Sequence, residues 1–156
     1  MTSGIIRLTV NDRLVHWNAE ADETLLATLR DGLGYTDVKA GCGEGACGAC
    51  TVILNDRPVA SCLILTATID GATIYTWTGI KTDPLARRLH TLFNKNNAFQ
   101  CGFCETGILL HLYSELRDNQ TLSTNRAESI LNSHICRCGG YKLMMDALSE
   151  FMDSNE

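Results

Sequence analysis

Eight cysteines stand in two groups of four, and their spacing is the feature of the sequence that most directly indicates chemistry. The first group has the spacing C-x4-C-x2-C-x11-C and consists of Cys42, Cys47, Cys50 and Cys62. Its first three members match the ligand spacing of a plant-type [2Fe-2S] site. The loop around them is rich in glycine, which lets the backbone wrap closely and donate N–H groups to cluster sulfur. The spacing therefore predicts one [2Fe-2S] cluster.

The second group pairs a C-x2-C with a C-x-C after 31 intervening residues. Its members are Cys101, Cys104, Cys136 and Cys138. Taken alone, this spacing suits zinc and iron-sulfur about equally. Thiolates near helix ends can close around a small cluster, because N-terminal N–H groups offset its negative charge. Since the first group favours iron-sulfur, we expect a second cluster here.

Three competing interpretations of these segments are weaker. A structural zinc site usually combines two C-x2-C pairs, which the C-x4-C spacing fits poorly. Residues 43–48 spell G-x-G-x-x-G, but a dinucleotide site would need a helix directly afterwards, and the sequence there lacks helix propensity. His134 lies close to Cys136, but the eight cysteines already complete two ligand sets, so packing is its expected role.

The elements around the first group are predicted to be mainly strands. Residues 5–10 and 13–17 flank an Asn-Asp pair typical of a hairpin turn. The leucine spacing from Asp22 to Arg30 predicts a helix of two to three turns. Further strands are predicted over residues 51–54 and 72–76, with a turn at 55–58.

The elements around the second group are predicted to be helices. Residues 78–82 lack periodicity and form the candidate linker. Asp83 and Pro84 are typical of a helix start, and further helices are expected over residues 105–116, 125–132 and 142–151. The sequence therefore predicts an α+β protein with a β-rich domain at 1–77 and a four-helix bundle at 83–156.

Composition narrows the function further. Hydrophobic residues make up 45% and charged residues 20%, as in ordinary globular proteins. The formal net charge of -5 and the lack of a basic cluster argue against nucleic-acid binding. We find no membrane-spanning or signal segment, and eight patterned cysteines favour metal in a reducing compartment, so we expect a cytoplasmic protein.

Three segments together resemble a known family. They are residues 41–50 (GCGEGACGAC), 100–104 (QCGFC) and 136–141 (CRCGGY). They are similar to the signature segments of the small iron-sulfur subunit of the xanthine oxidase family of molybdenum hydroxylases. The resemblance spans nearly the whole chain and implies a β-grasp, plant-ferredoxin-like domain followed by a four-helix domain, each with one [2Fe-2S] cluster.

The resemblance also implies roles and partners. The group Cys42, Cys47, Cys50 and Cys62 would hold an outer cluster, and Cys101, Cys104, Cys136 and Cys138 an inner one. Gln100 would contact the molybdenum cofactor. A large molybdopterin subunit would oxidise the substrate, and electrons would pass through both clusters to FAD on a medium subunit or to another acceptor. A dimer of such heterotrimers is compatible with the resemblance.

The chain departs from the family pattern at two positions. Glu105 and Thr106 stand where the family usually has Thr-Pro, and Gly139 replaces a usual Thr. Neither change removes a cysteine. No catalytic triad, carboxylate pair or phosphate loop is present, so we expect electron transfer rather than substrate chemistry on this chain. A zinc-stabilised interaction module and a free-standing ferredoxin are the alternative functions.

Overall fold

The computed structural model describes residues 4–119 and 121–153, so the predicted domain ends at 1–3 and 154–156 lie outside the described residues. Its strands are β1 (Gly4–Val10), β2 (Arg13–Ala19), β3 (Thr51–Leu54), β4 (Arg57–Ala60) and β5 (Thr73–Tyr75). Its α-helices are α1 (Leu25–Ala27), α2 (Trp77–Ile80), α3 (Pro84–Lys95), α4 (Glu105–Asn119), α5 (Thr124–Asn132) and α6 (Tyr141–Asp153). The predicted order of a β-rich half before a helical half is confirmed.

The five strands form one sheet in the order β2-β1-β5-β3-β4. Strands β1 and β5 are parallel, and the other neighbours are antiparallel. Asn11 and Asp12 both have positive φ, at 50° and 63°, which is the geometry of a two-residue hairpin turn that matches strand twist. The predicted first hairpin therefore forms with Val10 opposite Arg13.

A second hairpin was only half predicted, because residues 55–58 were assigned to a turn. The turn itself takes only Asn55 and Asp56, both with positive φ, and the chain then returns at once as β4. Strand β4 lies at the edge of the sheet, where Pro58 can be accommodated although it has no N–H to donate.

Two other expectations differ from the structure. The predicted helix over 22–30 is a single α-turn, α1, capped by the Thr24 hydroxyl and continued by a π-helical turn over Thr28–Gly32. The predicted linker over 78–82 is partly helical, because α2 occupies Trp77–Ile80. Asp37 Oδ2 accepts the Thr78 N–H at 2.7 Å, which satisfies a donor in the first turn of this short helix.

The four longer helices lie where periodicity predicts them. Asp83 caps α3 by accepting the N–H groups of Leu85 and Ala86, and Pro84 occupies the first turn. Ser123 caps α5 in the same way. Apolar faces of the helices converge on one core that includes Phe93, Leu148 and Phe151.

The sheet half has its own core, and β3 joins the two. Neighbouring residues of a strand point to opposite faces. Val52 therefore packs into the sheet core with Leu8 and Leu29, whereas Ile53 packs into the helical core. Helix α4 covers this second face of β3. The two halves consequently form one packed body, in which α4 contributes to the helical core and also packs against β3 of the sheet.

Within residues 4–119 and 121–153, no helix combines the length and the apolar character needed to cross a lipid bilayer.

Candidate iron-sulfur sites

The first cysteine group surrounds a glycine-rich loop, residues 41–50, which we call the outer loop. It contains neither helix nor strand. Gly43, Gly45 and Gly48 have φ values of 74°, 78° and 69°, a region where a side chain would be strained. A Cβ on Gly41 would lie 2.7 Å from Cys47 Sγ. Glycine is therefore required here both by the backbone conformation and by the closeness of a cysteine sulfur.

Backbone N–H groups of the outer loop point at sulfur. Cys42 Sγ accepts hydrogen bonds from the N–H groups of Glu44 and Cys47, each at 3.4 Å. These bonds, with that of Glu44 the stronger, lower the pKa of the exposed Cys42 thiol to about 7. The arrangement stabilises a thiolate, which is the form that binds metal.

The fourth member of the group comes from outside the loop. Cys62 lies in the turn Ser61–Leu63 after β4 and is buried against Cys50. Burial, together with the neighbouring Cys50, raises the pKa of the Cys62 thiol to about 11. The Ser61 hydroxyl donates to the Cys50 carbonyl at 2.8 Å and ties the two segments together. The sheet thus delivers Cys62 to the loop.

The second cysteine group lies where helices begin. Cys101 and Cys104 belong to residues 100–104, the inner loop, which leads directly into α4. Cys136 and Cys138 lie between α5 and α6, in the segment 133–140 that we call the C-x-C loop. The Sγ atoms of Cys138 and Cys101 are 3.5 Å apart. Two segments distant in sequence are therefore brought together by helix packing.

The inner group shows the same contrast of exposed and buried thiols as the outer group. A hydrogen bond from the Phe103 backbone lowers the pKa of the exposed Cys101 thiol. Burial, with Cys136 beside it, raises the pKa of the Cys104 thiol to about 12. Tyr141 holds the C-x-C loop, since its hydroxyl accepts the Cys136 N–H at 2.8 Å and donates to the His134 carbonyl at 3.0 Å.

In each group every thiol has a neighbouring thiol of the same group. Cys42 neighbours Cys47, Cys50 neighbours Cys62, Cys101 neighbours Cys138 and Cys104 neighbours Cys136. Interactions also join these neighbours, Cys62 with Cys42 and Cys104 with Cys101. Among the residues that the structure describes, no group of three or more His, Cys, Asp or Glu side chains is arranged to hold a single ion. Each group nevertheless supplies the four cysteine thiolates that would hold a [2Fe-2S] cluster.

The outer loop and the segments around the inner cysteines contact each other directly, which the sequence did not reveal. We call this contact region the seam. The Ile135 N–H donates to the Cys47 carbonyl at 3.0 Å. A Cβ on Gly107, in the first turn of α4, would lie 2.4 Å from the Gly48 carbonyl oxygen. The Thr106 hydroxyl donates to the Asp37 carbonyl at 2.9 Å. A glycine in the first turn of a helix, directly before the apolar run 108–110, was the one available sequence signal for this close approach.

His134 belongs to the same seam. It is 2% exposed, and its ring occupies the space beside Gly48, where a Cβ would lie 2.2 Å from Nδ1. Its Nε2 is 3.1 Å from His111 Nδ1. Burial lowers the pKa of His134 to about 4, so the ring is neutral at physiological pH. Its position explains why a histidine lies so close to Cys136, because it packs the inner segment onto the outer loop.

Gln100 lies at the surface immediately before Cys101 and is exposed. The structure therefore leaves its side chain accessible to a partner. Its predicted contact with a molybdenum cofactor stays a prediction.

The fold and the two cysteine groups define a protein of the [2Fe-2S] class. A family model described as a 2Fe-2S iron-sulfur cluster binding domain matches residues 8–72. A second, described as a [2Fe-2S] binding domain, matches residues 76–149. The two matches correspond to the sheet half and the helical half.

Comparison with similar proteins narrows this class to one family. It is 37% identical to the nicotinate dehydrogenase small FeS subunit of Eubacterium barkeri over 136 residues, covering 87% of each chain. It is 34% identical to xanthine dehydrogenase/oxidase of Felis catus, covering 97% of this chain and 12% of that protein. The crystal structure of quinoline 2-oxidoreductase from Pseudomonas putida 86 matches with a TM-score of 0.87 and 31% identity, over 96% of this chain and 93% of that one.

The chain belongs to the small iron-sulfur subunits of the xanthine oxidase family of molybdenum hydroxylases. The predicted α+β fold, with a β-grasp domain before a helical domain, is confirmed. The chain is an electron-transfer component of an oxidoreductase with two [2Fe-2S] domains, and neither the zinc-module nor the free-standing-ferredoxin alternative is favoured.

Proposed function

We propose that the chain relays electrons from a molybdopterin site on a large partner subunit to FAD on a medium subunit, or to another acceptor. Cys101, Cys104, Cys136 and Cys138 hold the inner cluster, and Cys42, Cys47, Cys50 and Cys62 hold the outer one. When bound, each [2Fe-2S] cluster accepts and releases one electron at a time. Gln100 faces the molybdenum cofactor beside the inner site.

The observation that carries this proposal is the seam between the two sites. Ile135 directly precedes Cys136, and its N–H donates to the carbonyl of Cys47. One hydrogen bond and otherwise covalent bonds therefore connect a thiol of the inner group with one of the outer group. The Phe103 ring of the inner loop lies 3.6 Å from the position of a Cβ on Gly41 in the outer loop. Such contacts support stepwise transfer between the sites.

The surface supports two separate contacts with partners. Each group has one exposed thiol, Cys42 in the outer and Cys101 in the inner. An exposed apolar side chain accompanies each group, Leu63 at 61% exposure after Cys62 and Phe103 at 46% before Cys104. A partner that docks at either exposed thiol would therefore also cover an apolar side chain. The inner group would face the molybdopterin subunit and the outer group the flavin subunit.

The chemistry at the partner's active site is proposed from the relatives. Nicotinate dehydrogenase and quinoline 2-oxidoreductase are named for compounds with a nitrogen-containing aromatic ring. We therefore propose that the complex hydroxylates a heteroaromatic ring or oxidises an aldehyde. Eight cysteines at metal-ligand spacing favour a reducing compartment, and we propose the cytoplasm as its location. Domains at 1–77 and 83–156, with residues 78–82 as the linker, remain our proposed division of the chain.

Purification of the native complex through a tag on this chain tests the proposal. We expect a molybdenum-containing large subunit, a flavin subunit and about four irons per molybdenum, with two EPR signals after reduction. Cys104→Ser should remove one signal and Cys47→Ser the other, which also assigns each signal to its site. Recovery of the iron-loaded chain without molybdenum in any bound partner would refute the proposed function.

A further inference from the structure

A carboxylate lies directly over the inner loop. Glu105 is the first residue of α4 and follows Cys104. Its Oε2 is 3.1 Å from the position that a Cβ on Gly102 would occupy, between Cys101 and Cys104. The side chain is 22% exposed. Glu105 therefore places a partly buried negative charge against the segment that carries two of the inner thiols.

A second helix holds this carboxylate in place. His90 of α3 contacts it, with His90 Nε2 2.9 Å from Glu105 Oε1. The His90 ring also packs against the Trp77 ring, with the two ring centroids 5.7 Å apart. Because the contact joins α3 to α4, it helps to hold the carboxylate over the inner loop.

A second partly buried carboxylate, that of Asp37, lies near the first turn of α4: the Asp37 backbone carbonyl accepts the Thr106 hydroxyl at 2.9 Å, and Asp37 Oδ2 accepts the Thr78 N–H at 2.7 Å. The N-terminus of α4 contributes a positive partial charge where the inner loop ends. Arg137, between Cys136 and Cys138, is exposed, so water and salt screen its charge more strongly than that of Glu105. Of the two carboxylates, Glu105 is the one that lies against the inner loop at Gly102, and while His90 is neutral the charge of Glu105 opposes adding an electron at the inner site.

We propose that Glu105, positioned by His90, lowers the reduction potential of the inner cluster and so favours passage of its electron to the outer cluster. The inference rests on the proposed function, since it requires both clusters. In the step concerned, the reduced inner cluster loses one electron and the oxidised outer cluster gains it. A nearby negative charge raises the energy of the reduced inner state more than that of the oxidised state.

An EPR-monitored redox titration of the full iron-loaded chain tests this, with the outer cluster as internal reference. In Glu105→Gln, the equilibrium constant for electron transfer from the inner to the outer cluster should fall about tenfold. This is the effect expected from removing one partly buried charge near the inner cluster. That equals a rise of about 59 mV in the inner potential for a one-electron couple. The outer potential should stay unchanged.

Two further variants separate charge from structure. Glu105→Asp keeps the charge and should stay close to the unmodified chain, whereas a structural role would shift Asp and Gln variants alike. Asp118→Asn removes a charge from the far end of α4, about 20 Å along the helix axis, and should leave both potentials unchanged. If Glu105→Gln does not assemble the inner cluster, Glu105→Thr is titrated instead with the same expectation.

The outcomes distinguish this inference from the proposed function. Two intact signals with an unchanged inner potential in the Gln or Thr variant would overturn the role of Glu105 alone. Absence of an inner signal in the unmodified chain would instead overturn the assignment of the inner cysteines, and the inference would fall with it.

Discussion

The outer and inner sites each consist of four cysteines, but the chain brings the four together in two different ways. Three outer thiols come from one continuous loop between residues 42 and 50, whose shape is set by glycines with positive φ. The inner thiols come from two segments separated by 31 residues, and helix packing alone brings them together. The outer geometry is therefore largely local, whereas the inner geometry depends on the helical core.

This difference explains how much could be predicted. The outer site could be predicted from cysteine spacing and glycine content, because both reflect the local backbone conformation. The spacing of the inner cysteines fitted zinc and iron-sulfur equally, and the choice of iron-sulfur came from the first site and from the family resemblance. The pairing of Cys101 with Cys138 is a tertiary property that no local pattern encodes.

The fold shows the same division. The hairpin at Asn11-Asp12 and the cap at Asp83 have short-range causes, and both were predicted. Strand β4 was missed because Pro58 disfavours strands in general, and only its place at the sheet edge makes it acceptable. The role of Gly107 depends on a carbonyl 59 positions earlier, which periodicity does not detect.

The largest expected effect comes from opening the helical core. Phe93 is fully buried there, and Phe93→Ala should cost about 3–5 kcal/mol of unfolding free energy. Because the inner site depends on that core, its EPR signal should disappear at a lower urea concentration than the outer signal. Denaturant titration followed by EPR and by circular dichroism measures both.

The matched change in the sheet core is Leu29→Ala. Leu29 is also fully buried, and its loss should cost about 2–5 kcal/mol. Here the outer signal should be lost first. Loss of both signals together in both variants would show that the two sites are one cooperative unit.

A smaller effect is expected where His134 meets the outer loop. Gly48→Ala places a Cβ at positive φ and against the His134 ring, which should cost about 2–4 kcal/mol from backbone strain and overpacking. Iron content and the outer EPR signal should fall, with the inner signal less affected.

A double-mutant cycle with His134→Ala tests the cause. Removing the ring relieves the overpacking but not the backbone strain, so the double variant should be more stable than the sum of the single effects predicts. Strict additivity would show that the contact between Gly48 and His134 does not determine the cost.

The smallest expected effects concern single hydroxyl groups that hold one site each. Tyr141→Phe removes two hydrogen bonds of the C-x-C loop and should lower the free energy of unfolding by about 2 kcal/mol, with faster loss of the inner signal.

Ser61→Ala removes one hydrogen bond to the Cys50 carbonyl and should lower the free energy of unfolding by about 1 kcal/mol, with faster loss of the outer signal. Chelator challenge followed by EPR compares the two rates. If Tyr141→Phe instead sped up loss of the outer signal, or Ser61→Ala loss of the inner signal, these hydrogen bonds would not stabilise the sites to which we assign them.

The central claim is that the two cysteine groups hold two distinct [2Fe-2S] clusters. EPR of the anaerobically purified, dithionite-reduced full chain, together with iron and zinc analysis, tests it most directly. The account predicts about four irons per chain, no stoichiometric zinc and two distinct S = 1/2 signals. About two irons with a single signal and one zinc per chain would contradict it, and would make the helical half a structural zinc module.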